Sequence, residues 1–267
     1  MKKMNRALRW LGYCIAICGA IVMLGFIESS KSDAVCEGIE VEFVRNVDEP
    51  LLTEDFVRQT ILGVSNQIVG QNLRQVNFDQ LEEALNEIPF LNHAVVYTTI
   101  DNRLKVRVTE RTPIVRLIDE NGISALIDAD GYLMPVSKIS ALRLPVITGS
   151  FRLEKSLVEM NLHTSDSLVE PKLVEAYEMG NLIYGDSLWK AQFQHLSFER
   201  NGDLIAFPQV GNHTIIFGSE RLEEKLEVLR IFYREGMSQE AWNKYKLINL
   251  KYKDQIVCTK KHPYGGT

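Results

Sequence analysis

The chain has 267 residues, a length that accommodates one or two domains. Hydrophobic residues make up 45% and charged residues 24%, which is typical of a globular protein with a full core. The net charge is -5 and no long basic run is present, so composition argues against a nucleic-acid partner.

The N-terminal segment predicts a membrane anchor. Residues 1–9 form a basic tail, and residues 10–27 contain no charged side chain. A helix of that length measures about 27 Å, close to the roughly 30 Å of a hydrocarbon core. Basic residues stay on the cytoplasmic side, so the N-terminus is predicted to be cytoplasmic and the bulk exported. A cleaved signal peptide is the alternative. Its apolar run would be shorter than the one observed, and it would be followed by a small-x-small cleavage site, for which Ser30-x-Ser32 is a poor match.

A polar linker at 28–38 leads into a compact unit at 39–111, for which the predicted order is β-α-α-β-β. Thr53 is a predicted helix N-cap, and Asn77 is a second one. Two strands follow, joined at Asp101-Asn102, because both residues tolerate positive φ. The alternating residues in these two strands are Val95, Tyr97 and Thr99, and then Leu104, Val106 and Val108.

Residues 112–261 predict a mixed, mostly antiparallel β-domain with two packed helices, so the fold class is α+β. Asn121-Gly122 and Asp130-Gly131 are hairpin turn signals. One helix has Pro171 in its first turn. The other is strongly amphipathic, with predicted inward residues Leu222, Leu226, Leu229 and Phe232. The stretch "KLINLKYKDQIVCTKK" at 246–261 is predicted to be one closing strand, followed by a tail at 262–267.

Motifs that would carry catalysis are missing from the sequence. "DADG", which begins at Asp128, resembles the start of a calcium loop, but position 12 is Ile139 rather than Glu. The five histidines are scattered without metal-ligand spacing. We therefore expect no enzymatic activity, no catalytic residues, no metal or other cofactor, and no small-molecule substrate.

The four cysteines divide between two environments. Cys14 and Cys18 lie in the predicted membrane span, where packing is the expected role. Cys36 and Cys258 lie in the exported part. In an oxidising compartment two cysteines allow a disulfide, and the sequence leaves open whether Cys36 and Cys258 pair or remain free.

A closing strand with no successor predicts a sheet edge. Edge strands present unpaired N–H and C=O groups, and a partner can add a strand there by β-augmentation. With no catalytic motif upstream, this edge indicates a binding scaffold.

Three motifs in the chain resemble a known family. "VTERTPIVRL" at 108–117 resembles the junction segment of the bacterial cell-division proteins FtsQ/DivIB. "IDADGYLMP" at 127–135 resembles a hairpin of that family, and "INLKYKDQIVC" at 248–258 resembles its closing strand. The β-α-α-β-β unit resembles the POTRA domain of the family. Asn249 and Lys251 stand where the family has an acid and an arginine.

The resemblance implies a role in the divisome at the division septum, with a single-pass inner-membrane topology. The implied partners are FtsB-like and FtsL-like proteins and other divisome components, and the implied effect is control of septal peptidoglycan synthesis. The last strand would receive the partner strand, which predicts partner-binding residues Leu250, Lys251, Tyr252, Gln255, Ile256, Val257 and Lys260. Core packing is the alternative role for Ile248, Leu250 and Tyr252. Solvated charge or protection of the sheet edge is the alternative for Lys251, Lys253, Lys260 and Lys261. In the POTRA-like unit, the resemblance implies a contact face at 77–88 and 103–111.

Two other functions remain open at this point. One is a POTRA-bearing factor in polypeptide transport or envelope assembly, and the other is a membrane-anchored envelope enzyme. The first is weakened by the single POTRA-like unit, and the second by the absence of a catalytic motif.

Overall fold

The computed structural model describes residues 16–19, 21, 34–46, 49–65, 67–136, 142–153, 160–163, 170–237, 242, 244–253 and 255–261. The chain divides into a first unit, residues 1–44 and 52–110, and a second unit, residues 45–51 and 111–267. Within the predicted membrane segment 10–27, the described residues 16–19 and 21 are helical, and the remainder lies outside the described residues. Among the described residues, no helix reaches the length and apolar character that a membrane crossing requires.

From residue 34 onward, the described residues of the first unit form a three-stranded sheet with two α-helices. Its elements are β1 (Gly38–Val44), α1 (Glu54–Val64), a 3-10 turn (Leu73–Gln75), α2 (Phe78–Asn86), β2 (Leu91–Thr98) and β3 (Arg103–Glu110). The sheet order is β1-β3-β2, with β1 parallel and β2 antiparallel to β3. The predicted β-α-α-β-β order is confirmed.

Both predicted helix caps in this unit are present. The Thr53 hydroxyl accepts a hydrogen bond from the Phe56 N–H at 3.2 Å. The Asn77 side-chain oxygen accepts one from the Gln80 N–H at 3.2 Å. Each cap satisfies one of the N–H groups that a helix start leaves unpaired. The helices bury Val57, Ile61, Leu81 and Leu85.

The buried face of β2 differs from the predicted alternation. Ala94 and Val96 are buried, whereas Val95 and Tyr97 are each 36% exposed on the opposite face. Apolar residues lie on both faces of this strand, so a shift of one residue in the predicted alternation exchanges the buried face for the exposed one. Ala94 and Val96, the smaller of the two pairs, pack against the helices. The apolar periodicity alone could not show which face of β2 is buried.

In the second unit, ten strands of the described residues form one sheet. Its elements are β4 (Pro113–Asp119), β5 (Ser124–Asp128), β6 (Tyr132–Pro135), β7 (Val146–Gly149), β8 (Met160–Asn161), α3 (Pro171–Tyr184), α4 (Ser187–Gln192), β9 (Phe193–Phe198), β10 (Leu204–Pro208), β11 (Thr214–Gly218), α5 (Leu222–Ile231), a π-helical turn (Phe232–Gly236), β12 (Tyr245–Asn249) and β13 (Val257–Lys260). The strand order is β13-β12-β11-β10-β9-β7-β4-β5-β6-β8. The pairs β4/β7, β7/β9 and β11/β12 are parallel and the others antiparallel. The mixed, mostly antiparallel sheet is confirmed.

The core of the second unit lies between the sheet and its helices. Its largest fully buried side chains include Phe193 and Phe217, whose rings meet edge to face at 5.9 Å. The short helix α4 is present besides the two predicted helices. At the end of α5 the π-helical turn changes the phase of the chain, since a π turn contains an additional residue. Tyr233 is therefore buried in place of the predicted Phe232, which is only partly buried.

Two sequence motifs meet at one buried ion pair. Arg111 from "VTERTP" donates from Nη1 to Asp128 Oδ2 at 3.0 Å, and Asp128 begins "DADG". Asp128 Oδ1 accepts the N–H groups of Asp130 at 3.0 Å and Tyr132 at 2.7 Å. The Arg111 guanidinium lies 3.6 Å from the centre of the Tyr132 ring. "DADG" is therefore a turn held by its own aspartate, as the turn interpretation predicts.

A partly buried carboxylate lies on α3. One side-chain oxygen of Glu175, Oε1, is buried and has no hydrogen-bond partner among the described residues. Burial, with the nearby negative charge of Glu178, raises the pKa of Glu175 from 4.5 to about 7. The charges of Lys225 and Lys172 oppose this shift but do not cancel it.

Glu175→Gln should therefore stabilise the second unit at alkaline pH. The folded-state pKa lies above the ordinary value, so the folded protein binds more protons than the unfolded chain between pH 4.5 and 7. The loss of folding stability caused by burying the charged Glu175 carboxylate is fully present above pH 7, and it becomes smaller as the pH falls toward 4.5. We expect the variant to raise the thermal midpoint by about 2–4 °C at pH 8, with a smaller gain at pH 5. Glu120→Gln, which neutralises an exposed carboxylate of the second unit away from Glu175, is the control; equal shifts for both variants would contradict the prediction.

Candidate functional site

The predicted closing strand is a hairpin. β12 and β13 pair antiparallel, with Ile248 opposite Cys258 and Asn249 opposite Val257. The prediction of one continuous strand over 246–261 is therefore wrong. The Asn249 side-chain oxygen accepts the Lys251 N–H at 2.9 Å, and this local bond competes with continued extension of the strand. We call residues 250–256 the connecting loop; the structure describes all of them except Asp254.

Among the residues that the structure describes, β13 is the last strand at its end of the ten-stranded sheet. The Leu250 N–H donates to the Ile216 carbonyl at 2.9 Å, on the β11 side of the hairpin. Main-chain groups of successive residues point to opposite neighbours, so Asn249 faces β13 and its partner Val257 faces β12. By the same alternation, the N–H and C=O groups of Cys258 and Lys260 point outward. They are the groups that an added strand would bond.

Among the described strands, three other sheet ends are present, β1, β2 and β8, and the last two of these offer less to an added strand than β13 does. On β2, the Ala94 N–H donates to the Asn86 side chain at 2.9 Å, and the Val96 N–H donates to Glu82 at 2.7 Å. Both acceptors are on α2, so side chains of α2 already bond this edge. β8, at the far end of the large sheet, has two residues. Short or covered edges are how proteins block unwanted strand addition.

A groove with an apolar part and a charged part runs between α5 and the connecting loop. The apolar part is a cavity of about 440 Å³ lined by Val228, Ile231, Phe232, Glu235, Gly236 and Ile256. A neighbouring cavity of about 260 Å³ shares Val228 and Ile256, reaches Tyr252, and is otherwise lined mainly by charged and polar side chains: Arg221, Glu224, Lys225, Lys253 and Gln255. We call the two together the α5 groove. Val228 and Ile231 are 40% and 42% exposed, and Tyr252 is 57% exposed. Ile256, which lines both cavities, directly precedes β13.

The seven predicted partner-binding residues occupy three settings. Leu250 is buried, and Ile256 is half-buried against the core while lining the α5 groove. Lys251 is exposed but held within the chain. The other four are exposed, on the connecting loop or β13: Tyr252, Gln255, Val257 and Lys260. The structure thus gathers all seven within one loop and one edge strand, and core packing accounts for Leu250.

The contribution of α5 was missed in the sequence. Val228 and Ile231 lie outside the predicted buried stripe of Leu222, Leu226 and Leu229. Their spacing of three residues places both on one face of the helix. Two exposed apolar residues on the otherwise charged face were the available signal.

Cys36 and Cys258 are free cysteines in the structure. Cys36 is buried in the first unit, and Cys258 is half-buried on β13 of the second unit. Burial raises the pKa of the Cys258 thiol, which lowers its reactivity at neutral pH. The disulfide between Cys36 and Cys258 stays an untested prediction.

The predicted contact face of the first unit carries an ion-pair network on β3. Lys105 contacts Glu40 at 3.3 Å and Glu42 at 3.0 Å, and Arg107 contacts Glu42 at 3.1 Å. The carboxylates of Glu40 and Glu42 raise the pKa of Lys105. Ion pairs at the protein surface contribute little to stability. A role in partner contacts for residues 77–88 and 103–111 stays a prediction.

Comparison with family models matches both units. Residues 112–259, more than half of the chain, match the model described as FtsQ/DivIB, C-terminal related. Residues 34–109 match the model of a POTRA-like domain.

Two curated proteins are similar over part of the chain, and both bear the name cell division protein FtsQ. The one from Koribacter versatilis (strain Ellin345) is 32% identical over 98 residues, which cover 36% of this chain and 28% of that protein. The one from Myxococcus fulvus (strain ATCC BAA-855 / HW-1) is 32% identical over 95 residues, covering 34% and 32%. The similar stretch thus spans about a third of the length of these relatives.

Proposed function

The chain belongs to the FtsQ/DivIB family of cell-division proteins, and from this premise we propose that it is a non-enzymatic scaffold of the divisome. It is anchored in the inner membrane by residues 10–27, with its bulk in the periplasm. It binds FtsB-like and FtsL-like bitopic proteins and links early and late division proteins. Through these contacts it controls septal peptidoglycan synthesis.

The observation that carries this proposal is the outer edge of β13. The strand ends the large sheet, and the backbone groups of Cys258 and Lys260 point away from β12. A segment of the FtsB-like partner adds to this edge as an eleventh strand. Main-chain hydrogen bonds supply affinity, and alternate side chains select the register.

The α5 groove supports the same mode of binding. An added strand on β13 presents every second side chain to the helix side of the sheet. Apolar side chains there enter the groove next to Ile256 and Tyr252. Lys253, Lys260 and Lys261 lie on the hairpin, so acidic side chains on the partner assist its approach.

Depletion of the protein tests the cellular role. We expect filamentous cells without septa, because the scaffold is required to assemble the division machinery. Normal septation with loss of outer-membrane proteins would instead indicate a factor for envelope assembly and contradict the proposal.

Co-purification tests the partner. We expect the full-length chain, extracted in detergent, to retain FtsB-like and FtsL-like proteins from the same bacterium. Ile256→Asp places a charge in the α5 groove and should remove this retention. Gln209→Asp adds the same charge at an exposed position of the second unit and is the control. Equal retention by Ile256→Asp and the unmodified chain would contradict partner binding at this groove.

A further inference from the structure

Lys251 forms an ion pair with Asp203 inside the second unit. Its ammonium nitrogen contacts Asp203 Oδ2 at 2.8 Å, although the lysine side chain is 43% exposed. Asp203 is 8% exposed and lies between β9 and β10. The Asp203 carboxylate, which also accepts from the Asn201 amide at 2.9 Å, raises the pKa of Lys251. The lysine charge is therefore already compensated within the chain.

The stem of Lys251 passes close to Gly218. A Cβ added to Gly218 would lie 3.0 Å from Lys251 Cγ, so the missing side chain at 218 leaves the stem its path. Gly218 has φ of +74°, which a glycine adopts without strain. At the other end the Lys251 N–H donates to Asn249. The backbone and the ammonium group are thus held by two different parts of the chain, and Gly218 leaves room for the stem between them.

We propose that Asp203 is a positioning residue for the partner-binding loop: by holding Lys251, it keeps Tyr252 and Ile256 in place as one wall of the α5 groove. This inference rests on the proposed function. Lys251 acts as an internal clamp rather than as a cation that pairs directly with the partner. Leu250 and Tyr252 flank the lysine, so the clamp connects the core end of the loop to its exposed end.

Matched neutral variants separate the two roles of Lys251. Lys251→Met keeps the stem and removes the charge, and Asp203→Asn keeps the shape and removes the carboxylate. A clamp predicts that either variant weakens binding of purified FtsB-like protein to the full-length chain by roughly tenfold, within the range of couplings in one ion-pair network. The double variant should be no weaker than the single ones, and Lys251→Arg should retain most of the affinity.

Hydrogen exchange of the full-length chain alone supplies a readout that needs no partner. Peptides covering 250–257 should exchange faster in Lys251→Met and in Asp203→Asn, to the same extent, because both release the same loop. Thr259→Ala, which changes an exposed side chain of β13, is the control and should leave exchange in the loop unchanged.

The outcomes distinguish this inference from the proposed function. If Lys251→Met weakens binding while Asp203→Asn leaves it unchanged or strengthens it, Lys251 contacts the partner directly and the clamp is wrong. Unchanged exchange in both variants, or additive losses in the double variant, also overturns it. If the unmodified chain binds no FtsB-like protein, the proposed function fails, and the exchange of the loop still decides whether Asp203 positions it.

Discussion

Cys258→Pro should reduce binding of the FtsB-like partner by roughly tenfold to a hundredfold while leaving the fold intact. Proline removes the outward N–H of residue 258 and leaves a partner carbonyl unsatisfied, which costs ~1–3 kcal/mol. The bonds between β13 and β12 come from the neighbouring residues, so the hairpin itself keeps its ladder. Measured dissociation constants for the full-length chain test this, with circular dichroism to check the fold.

Cys258→Ala is the matched control, because it removes the same thiol and keeps the N–H. It should bind as the unmodified chain does. If alanine weakens binding as much as proline, the side chain rather than the backbone edge makes the contact, and strand addition is wrong. If both variants bind normally, the partner uses another surface.

Asp128→Ala should lower the stability of the second unit by ~3–5 kcal/mol, the usual cost of breaking a buried ion pair by removing one partner. The Asp128 side chain is 1% exposed and that of Arg111 is 14% exposed. Burial raises the pKa of Asp128, although the hydrogen bond from the Tyr132 N–H and the charge of Arg111 act in the opposite direction. These two partners therefore favour the charged form of the buried carboxylate. Alanine leaves Arg111 uncompensated and also removes the acceptor for the Asp130 and Tyr132 N–H groups.

The thermal midpoint of the second unit measures this loss. A reduction of ~3–5 kcal/mol corresponds to about 6–20 °C for a unit of this size. Asp128→Asn keeps one acceptor oxygen and should lose about half as much. Asp130→Ala, at an exposed carboxylate of the same turn, is the control and should change the midpoint by about 2 °C or less. Equal effects of Asp128→Ala and Asp130→Ala would show that the ion pair contributes nothing.

Local signals in the sequence predicted much of the fold. Thr53 and Asn77 cap helices because their side chains reach N–H groups two or three residues away. Gly122 and Gly131 close hairpins, with φ of +77° and +76°. Pro171 begins α3 because its missing N–H would have been unpaired there. These features depend on neighbours within a few positions, and the sequence displays them directly.

Competing local patterns explain the errors. β2 has apolar residues at both parities, so the alternation did not reveal that Ala94 and Val96 face the helices. Residues 250–261 contain no glycine or proline, so this stretch carried no strong turn signal. The bond from the Asn249 side chain to the Lys251 N–H was visible only in the structure.

The sequence by itself determined the four longer helices, the hairpin turns at Gly122 and Gly131 and the α+β class. Only the tertiary structure decided that the segment 246–261 folds into two strands, that β13 is the outer one among the described strands, and that α5 and the connecting loop form a groove. It also placed Asp203 against Lys251, 48 residues apart. The physical reason is range: caps and turns bond near neighbours, whereas strand order, edges and ion pairs depend on contacts between distant segments.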